Sequence, residues 1–217
     1  GSFSERRWVE ESVNYFDYKC EYSEYKIKNF LEDFDNMIYS HEGPLGGLFN
    51  CGMENLYRMA VDQKVKVLMD GTGLDEAFGG YRIHHLVYLN RLKLDNNKKF
   101  IIELSKYCEK WNVDSKITKK EIENLKKNNK TVQDGTSFDQ KSFITDFVKL
   151  NYKENKDYKC DFNSSLKEHF LNYINFSKIP KNTRIKDRQS MSYSIELRLP
   201  FLDHRIIELG MSMEDDS

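Results

Sequence analysis

Asp75 and Glu76 stand side by side in a segment that reads Val65-Lys-Val-Leu-Met-Asp-Gly-Thr-Gly-Leu-Asp-Glu-Ala-Phe-Gly-Gly-Tyr81. Carboxylate oxygens are hard ligands suited to Mg²⁺, and glycines at 71 and 73 let backbone N–H groups approach anionic oxygens. An acid pair delivered by a glycine turn can hold a phosphate-bound metal. The same residues also make an ordinary strand-to-helix turn, in which Asp75 and Glu76 are favourable acids at a helix start.

A second cluster runs Arg184-Ile-Lys-Asp-Arg-Gln-Ser-Met-Ser-Tyr-Ser-Ile-Glu-Leu-Arg-Leu-Pro-Phe-Leu-Asp-His204. At helical spacing Asp187, Ser190, Met191 and Ser194 share a face, with Arg184 and Arg188 one turn apart beside it. Basic groups, an acid and small hydroxyls on one helix suit a zwitterion or a polyphosphate. The alternative is a surface helix with i,i+4 ion pairs over a buried Met191/Ile195 stripe. His84-His85 is a poor chelate, because adjacent helical residues diverge by about 100°. Glu42, before Gly43-Pro44, reads as a cap, a solvent charge or a site residue.

The elements that must carry these groups alternate. Trp8, Val9, Val13 and Phe16 predict a helix over 5–16 after a Ser4 cap, and Tyr18, Cys20 and Tyr22 a short strand. Ile27, Phe30, Leu31, Phe34 and Ile38 predict a second helix, and Phe49 to Ala60 a third after a Gly-Pro-Leu-Gly-Gly loop at 43–47. The apolar run 65–69 predicts a strand. Such alternation predicts an α/β layer with a largely parallel sheet, whose ligands bind beyond the carboxyl ends of the strands. From about residue 83 the strand signal is gone. Helices are expected over 84–94, 97–110, 142–151, 164–177 and about 183–195, and over 203–211 after an extended segment around Leu197 and Leu199. The Lys/Asn-rich stretch 114–136 predicts a solvated helix and loop rather than a nucleic-acid patch, since acids interleave and aromatics are absent.

Composition closes off several classes. The chain has 217 residues, 39% apolar and 32% charged, with a net charge of −1. That balance gives no electrostatic pull towards nucleic acid or membrane surfaces. No apolar run approaches the roughly 20 residues of a bilayer span, and no apolar signal-peptide core is visible. The cysteines at 20, 51, 108 and 160 lack metal or redox spacing, so reduced thiols and a cytoplasmic location are expected.

Together the 65–81 and 187–205 segments resemble the synthetase domain of glutamine-dependent asparagine synthetases, within the ATP pyrophosphatase superfamily. Phe3-Ser-Glu5 and Glu42-Gly-Pro-Leu45 resemble that family's acidic segments more weakly. The resemblance implies a partial Rossmann-like parallel sheet with a mainly helical C-terminal half. It divides the chain into a nucleotide-binding core (1–92), a variable Lys/Asn-rich helical insertion (93–145) and a helical substrate-side wall (146–217). The implied activity is adenylation of a carboxylate by ATP with Mg²⁺, aspartate being favoured, followed by amination with glutamine-derived ammonia. A glutaminase domain is then expected on the same or a partner chain. By this resemblance Asp75, Thr72 and Arg188 belong at the reacting centre, with Asp75 as the metal ligand. Asp70, Gly71 and Gly73 lie against ATP, and Glu76, Asp187, Ser190, Ser194 and Glu196 line or support the amino-acid pocket.

The match departs from the family in four ways. The nucleotide loop Ser-Gly-Gly-x-x-Asp-Ser is not in this sequence, and neither are the glutaminase segment and the family's C-terminal catalytic lysine. The expectation is therefore that this chain alone releases no pyrophosphate from ATP. Thr72 stands where asparagine synthetases carry a glutamate, and a threonine cannot act as a carboxylate base. Asp70-Gly-Thr-Gly73 is closer to the Asp-Gly-Gln-Gly turn of related proteins from polysaccharide and natural-product clusters. Amide synthesis on another carboxylate is therefore the second reading, and a non-catalytic binding scaffold the third.

Overall fold

A parallel strand pair requires a long crossover, because its two strands must run the same way. In the computed structural model, which describes residues 4–43, 49–128 and 160–215, β1 (Val67–Met69) pairs with β2 (Glu196–Arg198). The register is Val67 to Glu196, Leu68 to Leu197 and Met69 to Arg198, and the ladder closes with the Asp70 amide donating to the Arg198 carbonyl at 2.9 Å. Every other regular element among the described residues is helical. The expected α/β class therefore holds in a strongly helical form, with two sheet strands among the described residues.

The described residues form two compact units, 1–66 and 67–217. In the first, α1 (Arg6–Phe16) buries no residue and is stitched on its surface by Arg6–Glu10 and Arg7–Glu11 ion pairs. The expected strand at Tyr18–Tyr22 is irregular instead. A strand needs a neighbour to take its backbone hydrogen bonds, and this unit has no strand among its described residues. Helices α2 (Phe30–His41) and α3 (Phe49–Asp62) fall where their periodicity predicts. They bury Met37, Cys51 and Tyr57 together with Asp33, which accepts a 2.5 Å hydrogen bond from Arg58. Residues 44–47 of the predicted glycine loop lie outside the described residues.

In the second unit α4 (Leu74–Phe78), α5 (Arg82–Asp95), α6 (Asn97–Trp111) and α7 (Ser115–Asn128) follow β1. Leu86, Leu89, Phe100, Leu104, Tyr107 and Ile122 fuse α5, α6 and α7 into one core with Phe162 and Phe170. Polar side chains cap the amino ends of α6 and α7. The Asn96 side chain accepts from the Lys99 amide, and Asp114 from the amides of Lys116 and Ile117. The predicted Lys/Asn-rich helix is thus anchored by one buried face at Thr118 and Ile122, while its remainder beyond 128 and the predicted helix 142–151 lie outside the described residues.

A capping box at Ser165 and Glu168 opens α8 (Leu166–Asn172), which relaxes into a π-helical turn over Tyr173–Ser177. Helix α9 (Ile179–Ser192) begins four residues earlier than periodicity predicts. Pro180 belongs in its first turn, where its missing N–H would have no helical partner anyway. Met191 is exposed and Ile195 buried, so the proposed apolar stripe has one buried member. After β2 and a 3₁₀ turn at Pro200–Leu202, α10 (His204–Ser212) ends the described chain, capped by the Asp203 carboxylate.

Candidate functional site

The 70–80 turn lies beyond the carboxyl ends of both strands, and its shape is fixed by close contacts. Gly73 has φ +109°, and a Cβ there would fall 2.4 Å from the Leu202 side chain and 3.2 Å from the Phe201 backbone, so only glycine fits. At Gly71 a Cβ would meet nothing within 4 Å, which leaves that peptide open to approach. The two adjacent acids part company. Glu76 is buried, with Oε1 accepting from the Tyr81 hydroxyl at 2.6 Å and Oε2 from the Gly73 amide at 3.2 Å. That amide bond is one half of a capping box, to which glycine can add no side-chain half. Burial, then this hydrogen bond to Glu76, pushes the Tyr81 phenol well above its ordinary range, and the Lys178 ammonium sits 3.2 Å from the centre of its ring. Asp75 is exposed, and its carboxylate rests on Gly80, where a Cβ would come within 1.9 Å of Oδ1.

A second set of bonds ties the turn to α9. Lys186 Nζ donates to Asp70 Oδ1 at 2.9 Å, to Asp70 Oδ2 at 2.7 Å and to Thr72 Oγ1 at 2.7 Å. Asp70 Oδ1 also accepts from the Thr72 amide at 2.8 Å and from the Thr72 hydroxyl. Partial burial alone would raise the Asp70 carboxyl. The hydrogen bonds from Lys186 and then Thr72 outweigh it and hold the group below the usual carboxylate range.

A groove of about 440 Å³ is lined by Thr183, Arg184 and Asp187 of α9 and by Leu197 and Leu199 of the β2 segment. Neither the Arg184 nor the Asp187 side chain forms an ion pair or hydrogen bond among the described residues. Helix α9 leads through a tight turn into β2 and so runs back along it. Ser190 lies a turn below Lys186, buried, its hydroxyl donating to the Asp187 carbonyl. Ser194 has left the helix at φ +56°. Glu196 is paired with Arg198 at 2.8 Å and sits opposite Val67, at the amino end of the strand pair. The predicted residues therefore divide: 70–76 gather at the carboxyl end, Asp187 faces the groove, and Ser190, Ser194 and Glu196 lie towards the other end.

A family model described as "Asparagine synthase" matches residues 1–217. The chain belongs to the asparagine synthase family. Neither a curated protein nor a solved structure gives a match. Membership places the chain in a family of ATP-dependent, amidotransferase-like ligases. Its donor set fits a metal that travels with phosphate. Mg²⁺ bound through substrate phosphates needs only one or two carboxylates and exposed Asp75 is one, whereas no cluster of three His, Cys, Asp or Glu able to hold a metal occurs among the described residues.

Sequence reasoning missed Lys186, Tyr81 and the groove floor at Leu197 and Leu199. Only the Asp70-x-Thr72 spacing, typical of an Asx turn, gave a local sign that Asp70 bonds within its own loop. His84 is buried against Phe170 at 4.9 Å and Tyr173 at 5.2 Å, and burial, then the charge of His169, pushes it down to about 3.

Proposed function

We propose that this chain forms the pyrophosphate-side loop and the acceptor-side wall of a ligase that adenylates a carboxylate with ATP and then aminates it. The observation that carries this reading is the Asp75 carboxylate, exposed over Gly80 at the open end of a parallel strand pair while its neighbour Glu76 is withdrawn into a brace. When bound, ATP supplies the adenylyl group and Mg²⁺ offsets charge on the departing pyrophosphate. Asp75 would hold that ion, with the Gly71 peptide facing the nucleotide. Glu76 and Tyr81 keep the turn from collapsing onto the vacated charge. The groove takes the acceptor: Arg184 receives a carboxylate, Asp187 an ammonium, and Leu197 and Leu199 the carbon stem. Arg188, one turn beyond Arg184, belongs on the reacting side.

The wider reading keeps a partial Rossmann-like core over 1–92, a variable insertion over 93–145 and a substrate wall over 146–217, working in the cytoplasm with ammonia from a glutaminase domain on this or a partner chain. Aspartate is the favoured acceptor. A second carboxylate substrate, in polysaccharide or natural-product synthesis, is favoured by one detail: the Thr72 hydroxyl is committed to Asp70 and Lys186 and supplies no base. Turnover of a panel of acids by the full-length enzyme separates the two readings.

Titrating Mg–pyrophosphate into the chain by calorimetry tests the metal role. Saturable, Mg²⁺-dependent binding is expected, lost in Asp75→Asn. Gly80→Ala pushes the Asp75 carboxylate aside and is expected to weaken binding about tenfold, roughly 1.4 kcal/mol, with little change in stability. Unaltered binding in Asp75→Asn would refute the assignment.

A further inference from the structure

The bonds at Lys186 leave it nothing with which to touch a ligand. An ammonium has three donors, and here they go to Asp70 Oδ1, Asp70 Oδ2 and Thr72 Oγ1 at 2.9, 2.7 and 2.7 Å. Thr72 is spent in the same way, because its hydroxyl proton goes to Asp70 and its oxygen accepts from Lys186. Asp70 accepts four bonds on its two oxygens. Both charges are mostly covered, at 22% and 17% side-chain exposure, so the set is a closed, net-neutral unit rather than a fringe of solvated charge. It joins residues 116 positions apart, the end of β1 and the middle of α9.

We propose that Lys186 is a positioning residue, and that Lys186, Asp70 and Thr72 form a clasp which fixes the 70–73 turn against α9 and thereby sets where the Asp75 carboxylate stands. This rests on the metal–pyrophosphate reading above for its consequence, though not for the clasp itself. It moves Asp70 and Thr72 out of contact with nucleotide or reacting atoms and gives them a shared mechanical role. The turn needs such a tie because it has few other fixed points: the Asp70 amide on β2, the Glu76 brace and the Leu202 side chain packed on Gly73. Without the ammonium, the Asp70 carboxylate would be half-buried and held only by its own loop, free to swing the turn towards solvent.

Two readouts on the full chain test this, one without ligand. Amide hydrogen exchange at Thr72 and Gly73 should accelerate at least 30-fold in Lys186→Met and three- to tenfold in Thr72→Val, which keeps the ion pair, while amides of the α5–α6 core stay within threefold of wild type. Lys186→Arg, whose guanidinium can grip a carboxylate bidentately, should restore slow exchange. Calorimetric titration with Mg–pyrophosphate should follow the same order, weakened at least tenfold in Lys186→Met, less in Thr72→Val and within threefold of wild type in Lys186→Arg. Unchanged exchange at 72 and 73 in Lys186→Met, or uniform acceleration throughout the unit, overturns the clasp. If Lys186→Met does not fold, Thr72→Val and Lys186→Arg decide by the same criteria. Slow exchange that depends on Lys186, in a wild-type chain that does not bind Mg–pyrophosphate, upholds the clasp and sinks the metal reading instead.

Discussion

Helix α9 presents a closed set of charges on one side and an open set on the other. Lys186 is consumed by Asp70 and Thr72, whereas Asp187, the next residue, faces a groove beside Arg184 with no ion pair among the described residues. Consecutive helical side chains diverge by about 100°, so one element can brace a loop and line a pocket at once. The acids of the turn differ in burial, Glu76 buried and bonded on both oxygens, Asp75 exposed. On the proposed function, bonded charges hold geometry and those facing the groove meet ligands, so substitutions in the two sets should separate stability from binding.

The largest stability effect is expected at the closed end. Glu76→Ala strands the Gly73 amide and the Tyr81 hydroxyl, both of which donate to it. Two partly buried donors left without acceptors cost about 3 kcal/mol together. Urea denaturation of the chain should report that loss, and Glu76→Gln, which keeps an acceptor oxygen, should recover part of it. A loss below about 1 kcal/mol in Glu76→Ala would place this acid with the open set.

The clasp gives a smaller effect with a pH signature. Asp70 is held below the usual carboxylate range in the folded chain, so there it binds fewer protons than in the unfolded chain. The stability it contributes is whole above the ordinary carboxylate value of about 4 and drains away as pH falls through the lower folded value. His84, pushed down to about 3, acts in the same direction over a wider window, losing its contribution as pH falls from about 6.5 towards 3. Denaturation midpoints followed from pH 7 to pH 3 should therefore fall in both wild type and Asp70→Asn, with the variant shallower below about pH 4.5. Parallel curves would mean that Lys186 does not favour the ionised form of Asp70.

Much of this division was hidden in the sequence for a physical reason. Helices α2, α3, α5 and α6 were legible because their apolar residues repeat at the helical period, and β1 because the largely apolar run Val65 to Met69 leads into a glycine turn. The turn at 70–76 was legible because glycines and adjacent acids are local signals. The Tyr18–Tyr22 alternation misled, because a strand is made by its partner and not by its own pattern. The Lys186–Asp70 bond spans 116 positions. Between Arg184 and Arg188 in the sequence, Lys186 looks like one more surface cation, and only tertiary placement tells it apart from Arg184. Ser190 was grouped with Asp187 by helical spacing, yet the serine is buried while the acid faces the groove.

The open set should yield the smallest effect on stability and a selective one on binding. Arg184→Ala and Asp187→Asn remove charges with no ion pair to break among the described residues. Exposed positions of that kind move stability by about 0.5 kcal/mol or less. If the groove takes an acceptor with a carboxylate at one end and an ammonium at the other, the two variants should lose different partners. In the full-length enzyme, Arg184→Ala should raise the acceptor KM whichever amino acid is offered. Asp187→Asn should raise it for amino acids and leave it near the wild-type value for acids that lack the amino group. ATP dependence should be unchanged in both, since neither residue belongs to the clasped turn. Equal losses for both acceptor types in Asp187→Asn would mean that the acid shapes the groove rather than reading the ammonium, and the contrast between the two sides of α9 would then lie in burial alone.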